Sequence, residues 1–143
     1  MKVLIDTSVI IEIDRRNEEV ISFLKKLTER NVDLVVSAIT LSEIFAGSYM
    51  QKDFKKSVIE AKKILSQFLW IDFDSQVAEK TGQLVAYLIA EGKPVEYQDI
   101  AISATFYVSK SDYLVTLNKS HFVILPEIKN KVFTPHEFKK MMK

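Results

Sequence analysis

A chain of 143 residues, 48% hydrophobic with three glycines and three prolines, is long enough to bury roughly two-thirds of its unfolded surface in one core. That composition excludes a disordered, repetitive or low-complexity polypeptide, and the absence of cysteine excludes a disulfide framework or thiolate metal site. A net charge of +1 points to no class of partner. Uncharged runs such as IAISATFYVS fall short of the ~20 residues needed to span a bilayer. Asp6 interrupts the N-terminal apolar run too early for a signal peptide. The expected setting is soluble and cytoplasmic, with residues 1–143 forming a single domain.

The elements alternate along the chain. Val3, Leu4 and Ile5 form a first strand that ends at Asp6, and Val9, Ile10 and Ile11 are as apolar again. NEEVISFLKKLTER opens with an Asn cap and an acidic first turn, then sets Val20, Phe23, Leu24 and Leu27 on one helical stripe. VDLVVS reads as a short buried strand, after which Ser37 caps a helix carrying Leu41, Ile44, Phe45 and Ser48 on one face. From Phe54 a stripe through Val58, Ala61, Ile64, Leu65, Phe68 and Leu69 predicts one long amphipathic helix.

WIDF is read as the third strand. Asp74 or Ser75 caps a further helix bearing Val77, Thr81, Leu84, Val85 and Leu88, which Gly92 and Pro94 end. Residues 96–109 are apolar almost all round after the first turn, which predicts a central helix. DYLVT is a fourth strand, Val132 and Phe133 a fifth, and a short basic helix follows. Unbroken apolar strands alternating with helices indicate an α/β fold whose parallel sheet is covered on both faces. Such sheets bind ligands beyond the carboxyl ends of their strands, where Asp6, Thr116 and Asn118 lie. The lysine clusters, KDFKK, Lys62 with Lys63, and KKMMK, are read as solvated helix faces.

Three carboxylates interrupt apolar sequence: Asp6, Glu43 in SAITLSEIFAG, and Asp99 in EYQDIAISA. An ionised carboxylate buried without a partner costs several kcal/mol. Each has an ordinary explanation. Asp6 can cap the turn DTSV, Glu43 can be a half-exposed helix residue, and Asp99 can answer a helix dipole. Thr116 and Asn118 can be turn formers, and His121 and His136 surface or interfacial residues rather than ligands. If the central helix aims its N-terminus at the strand ends, however, all three acids converge. Close carboxylates repel unless a cation neutralises them, and all-oxygen donors suit Mg²⁺ or Mn²⁺.

The motif series LIDTSVI, LSEIFAG, QDIAISA and LVTLNKSHF resembles, in order and spacing, that of PIN-domain ribonucleases, and is most similar to the VapC-type toxins of toxin–antitoxin pairs. The likeness runs from Lys2 to about Phe133. It implies a PIN-like three-layer α/β/α sandwich with a mainly parallel five-stranded sheet in the order 3-2-1-4-5. It also implies Mg²⁺- or Mn²⁺-dependent cleavage of RNA, a homodimer and a cognate antitoxin protein. By match of position Asp6 and Asp99 would hold the metal, and Glu43 would do so directly or through water. The fourth family position, often aspartate, is Asn118 here, and the acid that often precedes the Phe of the same motif is His121. Those departures bear on a second metal site rather than the first.

Phosphodiester hydrolysis by in-line attack of water, leaving 5′-phosphate and 3′-hydroxyl ends, is the expected reaction. No His–Ser or Cys–His pairing supports acyl transfer. Thr7, Ser8 and Thr116 are candidates for orienting waters or carboxylates, and Lys119 for meeting the RNA backbone. A PIN nuclease of RNA maturation, a phosphoacceptor receiver with Asp72 or Asp74 as acceptor, and a non-catalytic PIN binding module are the alternatives. The receiver would need a second acid where Thr7 stands.

Overall fold

The computed structural model describes residues 1–143 and sets β1 (Lys2–Ile5) in the middle of a five-stranded sheet. The other strands are β2 (Asp33–Ser37), β3 (Leu69–Ile71), β4 (Tyr113–Val115) and β5 (Val132–Phe133), in the order β3-β2-β1-β4-β5. Every neighbouring pair is parallel; Leu4, for example, lies opposite Val35 on one side and Leu114 on the other. With all strands running one way, their carboxyl ends form a single edge.

Strand side chains alternate between faces, and here both faces are dry. Val3, Ile5, Leu34, Val36 and Val115 join one core; Leu4, Val35, Leu114 and Val132 join the other. The first core is completed by α1 (Thr7–Asp14), α2 (Glu18–Glu29) and Phe138 of α7 (Pro135–Met141). The second is completed by α5 (Ser75–Ala90), α6 (Tyr97–Val108) and the segment bearing Phe122, Leu125 and Ile128. The sheet is therefore the middle of an α/β/α sandwich. The remaining helices, α3 (Ala38–Tyr49) and α4 (Phe54–Leu65), pack on each other beside α1. No helix is long and apolar enough to cross a membrane.

Polar caps punctuate the chain. Asn17, Ser37, Asp53 and Asp74 each accept a hydrogen bond from a first-turn backbone N–H of the helix that follows, and Thr134 with Glu137 forms a capping box on α7. Gly92, at φ +65°, carries the chain out of α5 through the left-handed region. Phe138 packs edge-on against Phe23, Tyr113 and Phe133 at centroid distances of 5.4–6.0 Å, which fastens α7 to the sheet.

One local reading is completed and one corrected. The apolar run after Asp6, given no element from sequence, is a helix, α1, with Val9 and Ile10 buried and the turn DTSV as its start. The stripe from Phe54 does not continue as helix to Leu69. Instead α4 stops at Leu65, Ser66 takes the C-cap, and Leu69 already belongs to β3. Phe68 stays buried in the same core as Leu65, so apolar periodicity outlasts the helix that it suggests.

Candidate active site

Asp6 stands where β1 ends and α1 begins. Its backbone N–H continues the sheet by donating to the Val115 carbonyl at 3.0 Å, and its own carbonyl accepts from Val9 N–H at 3.0 Å to start the helix. The carboxylate is only 4% exposed as a residue, so it needs donors. Ser8 Oγ donates to Oδ2 at 2.7 Å, Thr116 Oγ1 at 2.8 Å and Ser8 N–H at 3.4 Å. No hydrogen-bond donor of the protein meets Oδ1, which leaves that oxygen for an outside ligand. The same hydroxyls knit the neighbouring strand end: Leu117 N–H donates to Ser8 Oγ and Asn118 N–H to Thr116 Oγ1. Asp6 is thus both a helix cap and a charged centre; the two readings are compatible.

Glu43 comes from α3 and meets Thr7 of α1. Thr7 Oγ1 lies 2.8 Å from Glu43 Oε1 and 2.9 Å from Thr40 Oγ1, one helical turn before Glu43. Thr7 and Thr40 are buried, whereas Glu43 is exposed along its stem with its carboxylate tip turned to Thr7. Burial of that tip raises the Glu43 pKa; the Thr7 bond lowers it, and the charges of Asp6 and Asp99 raise it further.

Asp99 lies in the first turn of α6, the central helix, whose stretch from Ile100 to Phe106 is wholly buried. Its carboxyl pKa is also raised, first by burial and then by Asp6, while His121 pulls it down. His121 Nδ1 sits 3.0 Å from Asp99 Oδ2. The charges of Asp6 and Asp99 therefore bear on Glu43, and that of Asp6 on Asp99, which brings together the end of β1, α3 and α6.

Burial first, then like charge, favours the protonated carboxyl at Glu43 and Asp99, and a nearby cation would relieve both. No group of three or more His, Asp or Glu side chains is placed to hold a metal ion by itself. That arrangement still suits a hard ion such as Mg²⁺ or Mn²⁺, which keeps several waters and takes only one or two carboxylates. The donors are carboxylate and hydroxyl oxygens, and Asp6 Oδ1 has no competing protein donor; the residues present fit such an ion. Beside Glu43 a groove of about 430 Å³ opens between α1, α3 and α4, lined by Ile10, Ile11, Arg15, Ile44, Glu60 and Ile64 among others.

Other expected residues fall as follows. Asn118 is exposed; its side chain makes no hydrogen bond and its backbone N–H is spent on Thr116. Lys119 is ion-paired with Glu137 at 2.7 Å, so its charge is already engaged. His136 is exposed, as expected. His121 is exposed, in keeping with its reading as a surface or interfacial residue, and from there its ring bonds directly to the Asp99 carboxylate. Thr40 was not singled out from sequence. Its signal was three-residue spacing from Glu43 on one helix, which gains meaning only once α1 is known to lie alongside.

A parallel α/β/α domain with an acidic site at the carboxyl ends of its strands defines the class of protein. The PIN domain family model matches residues 3–127, and the chain belongs to that family. Among individual proteins, it is 28% identical over 130 residues to the tRNA(fMet)-specific endonuclease VapC of Salmonella typhimurium, covering 90% of this chain and 96% of that one. Ribonuclease VapC2 of Haemophilus influenzae is 24% identical over 104 residues, 73% of this chain and 77% of the relative. Among solved structures, a chain of DNA-bound VapBC from Salmonella typhimurium superposes with a TM-score of 0.82 at 26% identity, covering 94% of this chain and 98% of that chain. A chain of FitAcB from Neisseria gonorrhoeae does so with a TM-score of 0.76 at 30% identity, with coverage again 94% and 98%.

Proposed function

We propose that residues 1–143 form one PIN-like domain that hydrolyses RNA phosphodiester bonds as a divalent-metal-dependent endoribonuclease, the toxin of a toxin–antitoxin pair. The observation that carries the reading is the buried Asp6 at the carboxyl edge of the sheet, held through Oδ2 with Oδ1 unengaged by the protein, in a chain that belongs to the PIN domain family. The names of its VapC relatives support the activity class.

Asp6 and Asp99 would hold Mg²⁺ or Mn²⁺, with Glu43 acting directly or through a water. When bound, such an ion acidifies water and draws charge off a phosphate oxygen. The chain's own residues supply the rest. Ser8 and Thr116 fix Asp6 through Oδ2, so that Oδ1 faces its ligand without rotating. Thr7 holds the Glu43 carboxylate in place by a hydrogen bond to Oε1, so that it can meet the ion or a water beside it. Low dielectric around Asp6 strengthens each of these interactions.

Partners follow from the surroundings of the site. The half-apolar groove beside Glu43 suits a peptide of the antitoxin, with a basic side chain answering the carboxylates. A homodimer is proposed through the exposed apolar residues Tyr49, Met50, Phe54 and Ile59 of α3, α4 and their junction. The test is to incubate the purified protein with RNA and Mn²⁺ and sequence the fragments. Cleavage with 5′-phosphate ends is expected. Asp6→Asn and Asp99→Asn should each reduce it by about two orders of magnitude or more while the far-UV spectrum is preserved, because each removes a ligand charge rather than packing. Full activity in either folded variant would overturn the assignment.

A further inference from the structure

His121 is the residue whose placement the proposed chemistry does not yet use. Each of the three acids has its own holder. Asp6 has Ser8 and Thr116, Glu43 has Thr7, and Asp99 has only His121. Asp99 lies in the first turn of α6, where the helix dipole favours its charge, but no hydrogen bond from that helix fixes the orientation of its carboxylate. Without the imidazole, the Asp99 carboxylate would be free to turn about its χ2 angle.

His121 is well supported for such a task. It ends a short 3₁₀ turn, Lys119–His121, and its N–H donates to the Asn118 carbonyl at 3.0 Å. Asn118 N–H is bound in turn to Thr116 Oγ1, the hydroxyl that donates to Asp6. The next residue, Phe122, is fully buried and anchors the turn in the core. One continuous series of bonds therefore runs from Asp6 through Thr116, Asn118 and His121 to Asp99. An acid at position 121 would add to the repulsion at Asp99; an imidazole N–H relieves it.

We propose that His121 is a positioning residue for Asp99: its Nδ1–H engages Oδ2 and so presents the remaining oxygen, Oδ1, to the divalent ion. Acceptance by the carboxylate places the proton on Nδ1 of the ring. The residue acts through Asp99 and touches neither metal nor RNA. This rests on the reading of Asp99 as a metal-holding residue.

The experiment is titration of Mn²⁺ into the metal-free, full-length protein without RNA, followed by calorimetry and by the Mn²⁺ electron paramagnetic resonance signal. The proteins are wild type, His121→Ala, His121→Asn and Asp99→Asn. Because the side chain is half exposed, neither His121 variant disturbs the core. His121→Ala should weaken Mn²⁺ binding about tenfold, the low end for loss of a group that orients a ligand. His121→Asn sets an amide N–H near the Nδ1 position and should bind within about threefold of wild type. Equal loss in both would identify the imidazole as a direct ligand and overturn the proposal, as would unchanged or tighter binding in His121→Ala. If Asp99→Asn binds like wild type, the failing claim is the metal site itself. If it loses binding while His121→Ala does not, the failing claim is the role of His121 alone.

Discussion

Thr116→Val exchanges one hydroxyl for a methyl at the heart of the proposed site, with almost no change of shape. Thr116 is fully buried, and its Oγ1 donates to Asp6 Oδ2 at 2.8 Å while accepting from Asn118 N–H at 2.9 Å. The variant therefore takes one of three donors from a carboxylate that is only 4% exposed and removes the acceptor of the part-buried Asn118 N–H. A charge-assisted hydrogen bond of this kind contributes about 1.5–3 kcal/mol, and a part-buried group left unsatisfied adds to the loss. We expect a cost of about 3 kcal/mol in metal-free protein. For a chain of this length that is a fall in Tm of about 10 °C. The assay is urea unfolding in EDTA followed by circular dichroism, where the midpoint should move without a change in slope. Thr116→Ser keeps the hydroxyl and loses only a buried methyl, for about 1 kcal/mol. Equal midpoints for Thr116→Val and Thr116→Ser would refute the claim that the hydroxyl, rather than packing, steadies Asp6.

Asn118→Asp adds a charge at the rim without removing any side-chain bond; the Mg²⁺ concentration giving half-maximal RNA cleavage should fall about two- to fivefold, and an unchanged midpoint would remove Asn118 from the site. The raised pKa values of Glu43 and Asp99 give a signed pH effect: both bind protons more tightly folded than unfolded, so metal-free protein should lose stability as pH rises from the ordinary carboxylate range through their raised values. Melting curves in EDTA from about pH 4 to about pH 7 should show that loss flattened in Asp99→Asn, which cannot ionise, and a wild-type slope in that variant would contradict the repulsion described.

Much of this architecture was legible because apolar residues declare burial. VLI, LVV and YLV read as parallel strands since both faces of each are dry, and α6 read as central since its surface is apolar all round. The position of Asp6 was legible for the opposite reason, as a charge where burial demands none. What escaped was set by tertiary context. The α1 helix has eight residues rich in β-branched side chains, whose local preference favours strand; its contacts with α2, α3 and α4 decide otherwise. The end of α4 escaped because Phe68 is buried whether or not the helix continues. His121 escaped because nothing in SHF reveals that a turn one strand away will set its ring against α6. The motif series placed the three acids in one protein family and offered Thr7, Ser8 and Thr116 as their hydroxyl partners, but which hydroxyl meets which acid is set by the packing of α1 on α3 and β4.

The hydrogen bond from Thr116 to Asp6 joins residues 110 positions apart, and β1 acquires its neighbour β4 only across that same separation. During synthesis, Asp6 therefore emerges well before Thr116, the distant one of its partners. At chain elongation rates of about 5–20 residues per second, several seconds pass before Thr116 is made, and longer before it clears the exit tunnel. Within that interval β1 can pair with β2, and Ser8 can already meet Asp6, but Asp99 comes only late and Thr116 is still missing. The acidic site is thus completed only by the second half of the fold, so the power to cut RNA lags the making of Asp6 by those seconds.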